Sequence, residues 1–220
     1  MPRQISQKTI VTAVLHGIER AQRFYESCTG DCWLWEGPEY LLCTNIASQL
    51  HNMPGAKYIT LESNVHGTLK DAKASTLGAP NKKLRTNGRF DVVVWWGNGL
   101  PRTVVEIKNN VWSYAQVRKD VDRVCAVLLR KPGVSSIQFG LIAFYTSCKD
   151  SRDSKAKKKL EKLSDLLLAR AQESTPDSIS ISMVRGTTHI VKDNAWTSTC
   201  FVFKLAKSSL RNLPTLPLSK

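Results

Sequence analysis

The sequence predicts an α/β (α+β) fold, a central mixed β-sheet flanked by helices, on three observations. Apolar residues recur at helical spacing in four segments, and at period two or in unbroken apolar runs in the segments between them. The stretch RFDVVVWWGNGLPRTVVEIKN, residues 89–109, reads as two strands folded back at Asn98-Gly99, and a helical pattern and then a buried apolar run follow it. With 42% hydrophobic and 23% charged residues, a chain of 220 can bury one substantial core. We therefore expect one domain over residues 1–206, with its core at about 38–146. The Pro-interrupted residues 207–220 read as a loosely attached tail.

Element by element, Val11, Val14, Leu15, Ile18 and Tyr25 place a helix from Ile5 to about Ser27, ended by CTGD. GPEYLLCTNIASQLHNMPG gives a second helix, with Pro38 suited to its first turn and Pro54-Gly55 closing it. KYITLE is a short strand. Residues 63–88 are rich in Gly, Asn, Ser, Thr and Lys and have no period, so they read as one long loop. Its Lys70, Lys73, Lys82, Lys83 and Arg85 either grip phosphates or are simply solvated. After the hairpin, Val117, Val121, Val124 and Leu128 form the apolar stripe of a helix, while Trp112, Gln116, Lys119 and Arg123 line up on another face. SSIQFGLIAFYTS is a buried strand, and SKAKKKLEKLSDLLLARAQ is a basic amphipathic helix whose charged face reads first as solvated. SISISMVRG and TSTCFVFKL complete the order as two alternating strands.

The hairpin carries the functional reading. A two-residue type I′ turn at Asn98-Gly99 pairs Trp96 with Pro101 and Asp91 with Glu106. One face then holds Phe90, Val92, Val94, Trp96, Thr103, Val105 and Ile107 and is core. The other holds Arg89, Asp91, Val93, Trp95, Arg102, Val104, Glu106 and Lys108. Two carboxylates about 5 Å apart repel by roughly 3 kcal/mol at the effective dielectric of a partly buried site. Something positive belongs between them. A divalent cation such as Mg²⁺, which takes oxygen ligands, is one answer, and a salt bridge to Lys108 is the other. Trp95 stacks either on a base or on Arg102 across the strands.

Composition narrows the partners. There are 32 Lys plus Arg against 18 Asp plus Glu, a net charge of +14, which points to a polyanion, most simply nucleic acid. No apolar stretch reaches the roughly 18 residues of a membrane span, and no signal-like run follows the N-terminal Arg3 and Lys8. The six cysteines, Cys28, Cys32, Cys43, Cys125, Cys148 and Cys200, are scattered as cytosolic thiols are, so a cytoplasmic protein is expected. Cys28 and Cys32 have no second pair at zinc spacing.

Asp91, followed on the next strand by Glu106-Ile107-Lys108, resembles the signature of the PD-(D/E)xK nuclease superfamily. The order helix, three strands, helix, strand from Pro38 to Tyr145 is similar to its αβββαβ core, the restriction-endonuclease-like fold. Glu39 matches the glutamate that many members carry on the preceding helix. Independently of any family, Glu39 heads the buried stripe Leu42, Cys43, Ile46 and Leu50, where a charge needs a partner or serves the helix dipole. Acidic-x-Lys also occurs at Asp71-Ala72-Lys73 and Asp153-Ser154-Lys155, but neither lies in an apolar strand. One branch of the superfamily carries Gln-x-x-x-Tyr; here Gln116 is followed at that spacing by Asp120.

The resemblance implies a metal-dependent deoxyribonuclease, with an endonuclease favoured, using Mg²⁺ with Mn²⁺ as a substitute. Asp91, Glu106, the Ile107 carbonyl and Glu39 would serve the metal. Lys108 would position or help deprotonate the attacking water, and Lys82, Lys83, Arg85, Gln116, Lys119 and Arg123 would hold the nucleic acid. Double-strand cuts would require a homodimer. The rival readings are a nuclease-fold protein that binds without cleaving and a basic structural protein with a salt-bridged hairpin.

Overall fold

The computed structural model describes residues 5–30, 32–55, 57–75, 81–131, 133–149, 153–191 and 194–206. The tail expected at 207–220 lies outside them. Helix α1 (Gln7–Thr29) begins where the Ser6 hydroxyl accepts the Thr9 amide and ends at Gly30, in the left-handed region at φ 65°. A 3₁₀ turn (Leu34–Glu36) leads to α2 (Glu39–Asn52), which buries Leu42, Cys43, Ile46 and Leu50, the stripe read from the sequence. The two helices cross closely: a Cβ on Gly17 would lie 2.5 Å from the Ile46 Cα.

Strand β1 (Lys57–Asn64) follows, then α3 (Val65–Asp71) and a second 3₁₀ turn (Lys82–Leu84). These two elements correct the expectation of a structureless loop at 63–88. The helix is too short to show a period, yet it is capped by Asn64 and buries Val65 and Leu69. Next come β2 (Arg89–Trp96), β3 (Pro101–Lys108), α4 (Tyr114–Leu128) and β4 (Phe139–Lys149). Helix α5 (Asp153–Ser174) and strands β5 (Ile179–Arg185), β6 (His189–Val191) and β7 (Asn194–Leu205) complete the described chain.

The strands form one open sheet in the order β1-β2-β3-β4-β7-β5, with the short β6 also on β7. Only the β3–β4 pair is parallel, and α4 is the crossover that such a pair needs. The expected mixed sheet flanked by helices is therefore present, and helix, three strands, helix, strand run in order from α2 to β4 with α3 inserted after β1. Each sheet face is covered. Helices α1 and α2 pack Ile10, Val14, Ile18, Leu42 and Ile46 against Val92, Val94, Val105 and Ile107. On the opposite face α4 packs Val117, Val121 and Val124, and α5 packs Leu167 and Ala171, against Val93, Val104, Phe144 and Phe201.

The hairpin turn differs from the expected one. Asn98 has no positive φ; Gly99 does, at 86°. The Trp96 carbonyl accepts the Gly99 amide and the Leu100 carbonyl accepts the Trp96 amide, which encloses a three-residue loop, Gly97-Asn98-Gly99. Such a loop asks for the left-handed region at only one position, and Gly99 supplies it. The extra loop residue is offset by a bulge at Arg102: Trp95 pairs with Pro101, but Val94 pairs with Thr103. Beyond the bulge, Val92–Val105 and Val93–Val104 are in the register expected from the sequence.

Two side chains move as a result. The Arg102 guanidinium lies 4.0 Å over the Trp96 ring rather than against Trp95. Trp95 instead stacks on Tyr58 and donates to the Thr60 hydroxyl at 2.7 Å, so it meets neither Arg102 nor open solvent. Phe90 also leaves its expected face and packs in the α4 core, where Val92 does not. The strand is irregular at this point: β1 pairs with Phe90 and Val92 but not with Asp91, opposite which Glu62 stands at φ 52°.

Candidate active site

The site is built where β2 and β3 stop pairing. Backbone partnering between them is last seen at Val92–Val105, one residue short of Asp91 and Glu106. In its place the Asp91 carboxylate accepts the Ile107 amide at 2.6 Å. Both acids are raised above the ordinary carboxylate range, and for Glu106 the charge of Asp91 is one of the causes. Burial pushes Asp91 up to about 6; the Ile107 amide and Lys108 oppose this, and Glu39 and Asp120 add to it. Burial and then Asp91 push Glu106 up to about 8, against the opposing charge of Arg123.

Lys108 answers Asp91 in part, as expected, but Glu106 is answered by a group that was not. Glu106 is 2% exposed, and its Oε1 takes Arg123 Nη1 at 2.6 Å. Arg123, 1% exposed, also donates to the Arg89 carbonyl at 2.8 Å, while its Nε and Nη2 find no partner among the described residues. The expectation that Arg123 grips nucleic acid is therefore corrected: a covered guanidinium cannot reach a phosphate, and this one neutralises Glu106. Gly88 makes the room, since a Cβ there would lie 2.5 Å from Arg123 Nη2.

Lys108 bridges two other acids. Its ammonium lies 3.2 Å from Glu39 Oε1 and 3.7 Å from Asp120 Oδ2, and donates to the Ile107 carbonyl at 3.0 Å. Burial lowers its pKa, but Asp120, Glu39 and Asp91 together more than offset that, and the net shift is upward. Lys108 is accordingly held protonated. Glu39, at the start of α2, accepts Lys108 on one oxygen and the Asn109 amide on the other at 3.1 Å. Asn109 in turn donates its side-chain amide to the Leu34 and Gly37 carbonyls, at 2.7 and 3.0 Å. Helix α2, the 3₁₀ turn before it and the end of β3 are thus clamped at one point.

Asp120 and Asn109 are absent from the residues that sequence reasoning singled out. Asp120 had a signal: it adjoins Val117 and Val121 on α4, so a carboxylate edges a buried stripe as Glu39 does on α2. Buried to 4%, it lies 3.5 Å from Arg85 Nη1 as well as near Lys108, and burial raises its pKa against those cations. Asn109 gave no signal, because its contacts are to carbonyls more than 70 positions away.

The other expected binding residues divide. Lys82 and Lys119 are exposed. Lys83 is exposed but paired with Asp122 at 2.8 Å, and Arg85 is exposed above Asp120. Asn81, Lys82, Arg85 and Gly88 rim an open depression of about 410 Å³ beside α4. Gln116 serves the fold instead. Its Oε1 accepts the Trp112 and Ser113 amides at 2.7 and 3.0 Å, completing the capping box of α4.

The donors available to a cation are Asp91, Glu106 and the Ile107 carbonyl, with Glu39 further out. Asp91 Oδ2 and Glu106 Oε1 are engaged, and the second oxygen of each takes no hydrogen bond among the described residues. No group of three or more His, Cys, Asp or Glu is arranged as a metal cage among those residues. Mg²⁺ does not require one, being held typically by one or two carboxylates and completed by water and substrate phosphate. One buried and one half-buried acid whose protons are held above the ordinary range suit such an ion, because it would relieve their repulsion.

Cys28, Cys32, Cys43, Cys125 and Cys200 are free thiols, and no described helix is long and apolar enough to cross a membrane. Compared with protein-family models, with curated proteins and with solved structures, the chain matches none.

Proposed function

We propose that this protein is a metal-dependent nuclease of the PD-(D/E)xK type, an endonuclease that hydrolyses phosphodiester bonds of DNA in the cytoplasm. The observation that carries this reading is the meeting of Asp91, Glu106, Lys108 and Glu39 at one end of the hairpin, with both hairpin acids raised above the ordinary carboxylate range. The net charge of +14 and the exposed Lys82, Arg85 and Lys119 support a polyanionic substrate.

Asp91, Glu106 and the Ile107 carbonyl would hold Mg²⁺, with Glu39 orienting its water. A bound Mg²⁺ supplies Lewis acidity and lowers the pKa of water. The residues of the chain do the rest. Lys108, kept protonated by Asp120 and Glu39, donates to a non-bridging phosphate oxygen and stabilises the charge that develops there. That role suits it better than taking a proton from water. Asp120 positions Lys108, and Asn109 fixes Glu39. Lys82, Arg85 and Lys119 hold the sugar-phosphate backbone without reading sequence.

One observation favours the rival reading of a nuclease-fold protein that binds without cutting: Arg123 already neutralises Glu106. The two separate in one experiment. Supercoiled, linear and single-stranded DNA and RNA are incubated with wild type and Lys108→Ala in Mg²⁺, Mn²⁺ or EDTA. The nuclease reading expects cleavage by wild type with a divalent ion only, and loss of it in the variant. Binding that persists in EDTA with no product under any condition would establish the rival.

A further inference from the structure

Beside the candidate active site lies a cleft of about 500 Å³ walled by Trp33, Trp35 and Trp112. Its polar lining comes from Asn110, Ser147, Asn194 and Lys149, with one acid, Glu36. The cleft is tied to the catalytic end of the hairpin by short links. Asn110 stands two residues after Lys108 and accepts Trp112 Nε1 at 2.6 Å. Asn109 holds the Leu34 and Gly37 carbonyls, so the turn bearing Trp35 is fixed against the end of β3.

The three tryptophans differ from the rest. Of the six in the chain, Trp95 stacks on Tyr58, Trp96 lies under Arg102 and Trp196 stacks on Tyr145 and His189. Trp33, Trp35 and Trp112 have no ring or cationic partner among the described residues. Trp35 and Trp112 are 49% and 41% exposed, on a chain that buries most of its other aromatic rings. Flat, wet aromatic faces in a polar cleft suit a ligand that is itself flat and has a polar rim.

The charge beside the cleft narrows that ligand. Cys148, in the cleft wall, donates to the Ala156 carbonyl of α5 at 3.4 Å, which sets the start of that helix next to the cleft. Lys155, Lys157, Lys158 and Lys159 belong to that helix and are exposed, and Lys149 lies on the rim. Aromatic faces with a run of lysines alongside are what an unpaired strand requires, bases on the rings and phosphates on the ammonium groups. Paired bases in a duplex cannot offer their faces to a ring.

We propose that the tryptophan cleft binds unpaired bases of single-stranded DNA and so delivers strands with a single-stranded segment to the hairpin site. This deepens the nuclease reading and takes its catalytic context from it, but the binding itself is separable from cleavage.

The test is fluorescence anisotropy in EDTA with a labelled oligothymidylate of about 15 nucleotides and a blunt duplex of equal length. The proposal expects wild type to bind the single strand with quenching of tryptophan emission. Trp35→Ala and Trp112→Ala should each weaken that binding roughly tenfold and leave duplex affinity unchanged. Trp35→Phe and Trp112→Phe, which keep a stacking face, should recover most of the affinity. The proposal is overturned if the alanine variants bind the single strand as wild type does, or lose single strand and duplex equally. Failure of the nuclease reading looks different: no product in Mg²⁺ from any substrate, with cleft binding intact.

Discussion

Replacing Arg123 with Met tests the electrostatic design of the site. The substitution keeps an apolar stem of similar length and removes the 2.6 Å contact to Glu106 Oε1 and the 2.8 Å contact to the Arg89 carbonyl. Glu106 already titrates at about 8 with the guanidinium beside it, so without it the carboxyl rises further. An acid whose folded pKa exceeds its unfolded value binds more protons when folded, so stability falls as pH rises from the ordinary carboxylate range to the folded value. At about pH 9 the variant must therefore bury an uncompensated carboxylate or hold its proton against solvent, a cost of about 3–5 kcal/mol. At about pH 6 the carboxyl keeps its proton, and the cost shrinks to that of the lost hydrogen bonds, about 1–3 kcal/mol. Urea unfolding followed by tryptophan emission measures both values by linear extrapolation. Adding Glu106→Gln to the variant should restore stability at the higher pH. Destabilisation equal at the two pH values, or no gain from the second substitution, refutes the buried pair as described.

Other consequences follow from the same contacts. Gly88→Ala places a Cβ 2.5 Å from Arg123 Nη2 and should cost about 1–3 kcal/mol, read as a lower melting temperature. A Mg²⁺ ion held as proposed would displace protons from Asp91 and Glu106, which are raised to about 6 and about 8. Its affinity by calorimetry should therefore rise roughly tenfold per pH unit between those values and level off above them; an affinity flat in pH contradicts this. Gln116→Ala breaks the capping box of α4 and should cost about 1 kcal/mol in chemical unfolding, with DNA affinity unchanged.

What the sequence made legible follows from the range of the signals involved. Helices α1, α2 and α4 announce themselves because their buried stripes, such as Val117, Val121 and Val124, repeat within a few turns. The register of Val92 with Val105 and Val93 with Val104 was readable although the turn was not: the three-residue loop and the bulge at Arg102 offset each other by one residue. Helix α3 was hidden by its length, two turns held by an Asn64 cap and by burial of Val65 and Leu69. In the site, Asp91, Glu106, Lys108 and Glu39 stood out because each is a charge on an apolar element. The partnerships did not. Arg123 and Lys119 look alike on α4, and only the approach of β2 and Gly88 decides that one is sealed against Glu106 and the other is exposed. Long-range contacts of this kind, like those of Asn109 to Leu34 and Gly37, leave no local pattern.

Whether the hairpin acids serve a hydrolytic metal site is tested most directly at Asp91. Asp91→Asn keeps an acceptor for the Ile107 amide, so the fold is preserved while a carboxylate ligand is lost. The measurement is single-turnover cleavage of plasmid DNA in saturating Mg²⁺ at about pH 8, wild type against this variant, with melting temperatures recorded alongside. A metal held by Asp91 predicts cleavage by wild type that EDTA abolishes, and a loss of about a hundredfold or more in a variant that melts as wild type does. Equal rates for the two proteins, or cleavage that survives EDTA, would contradict it.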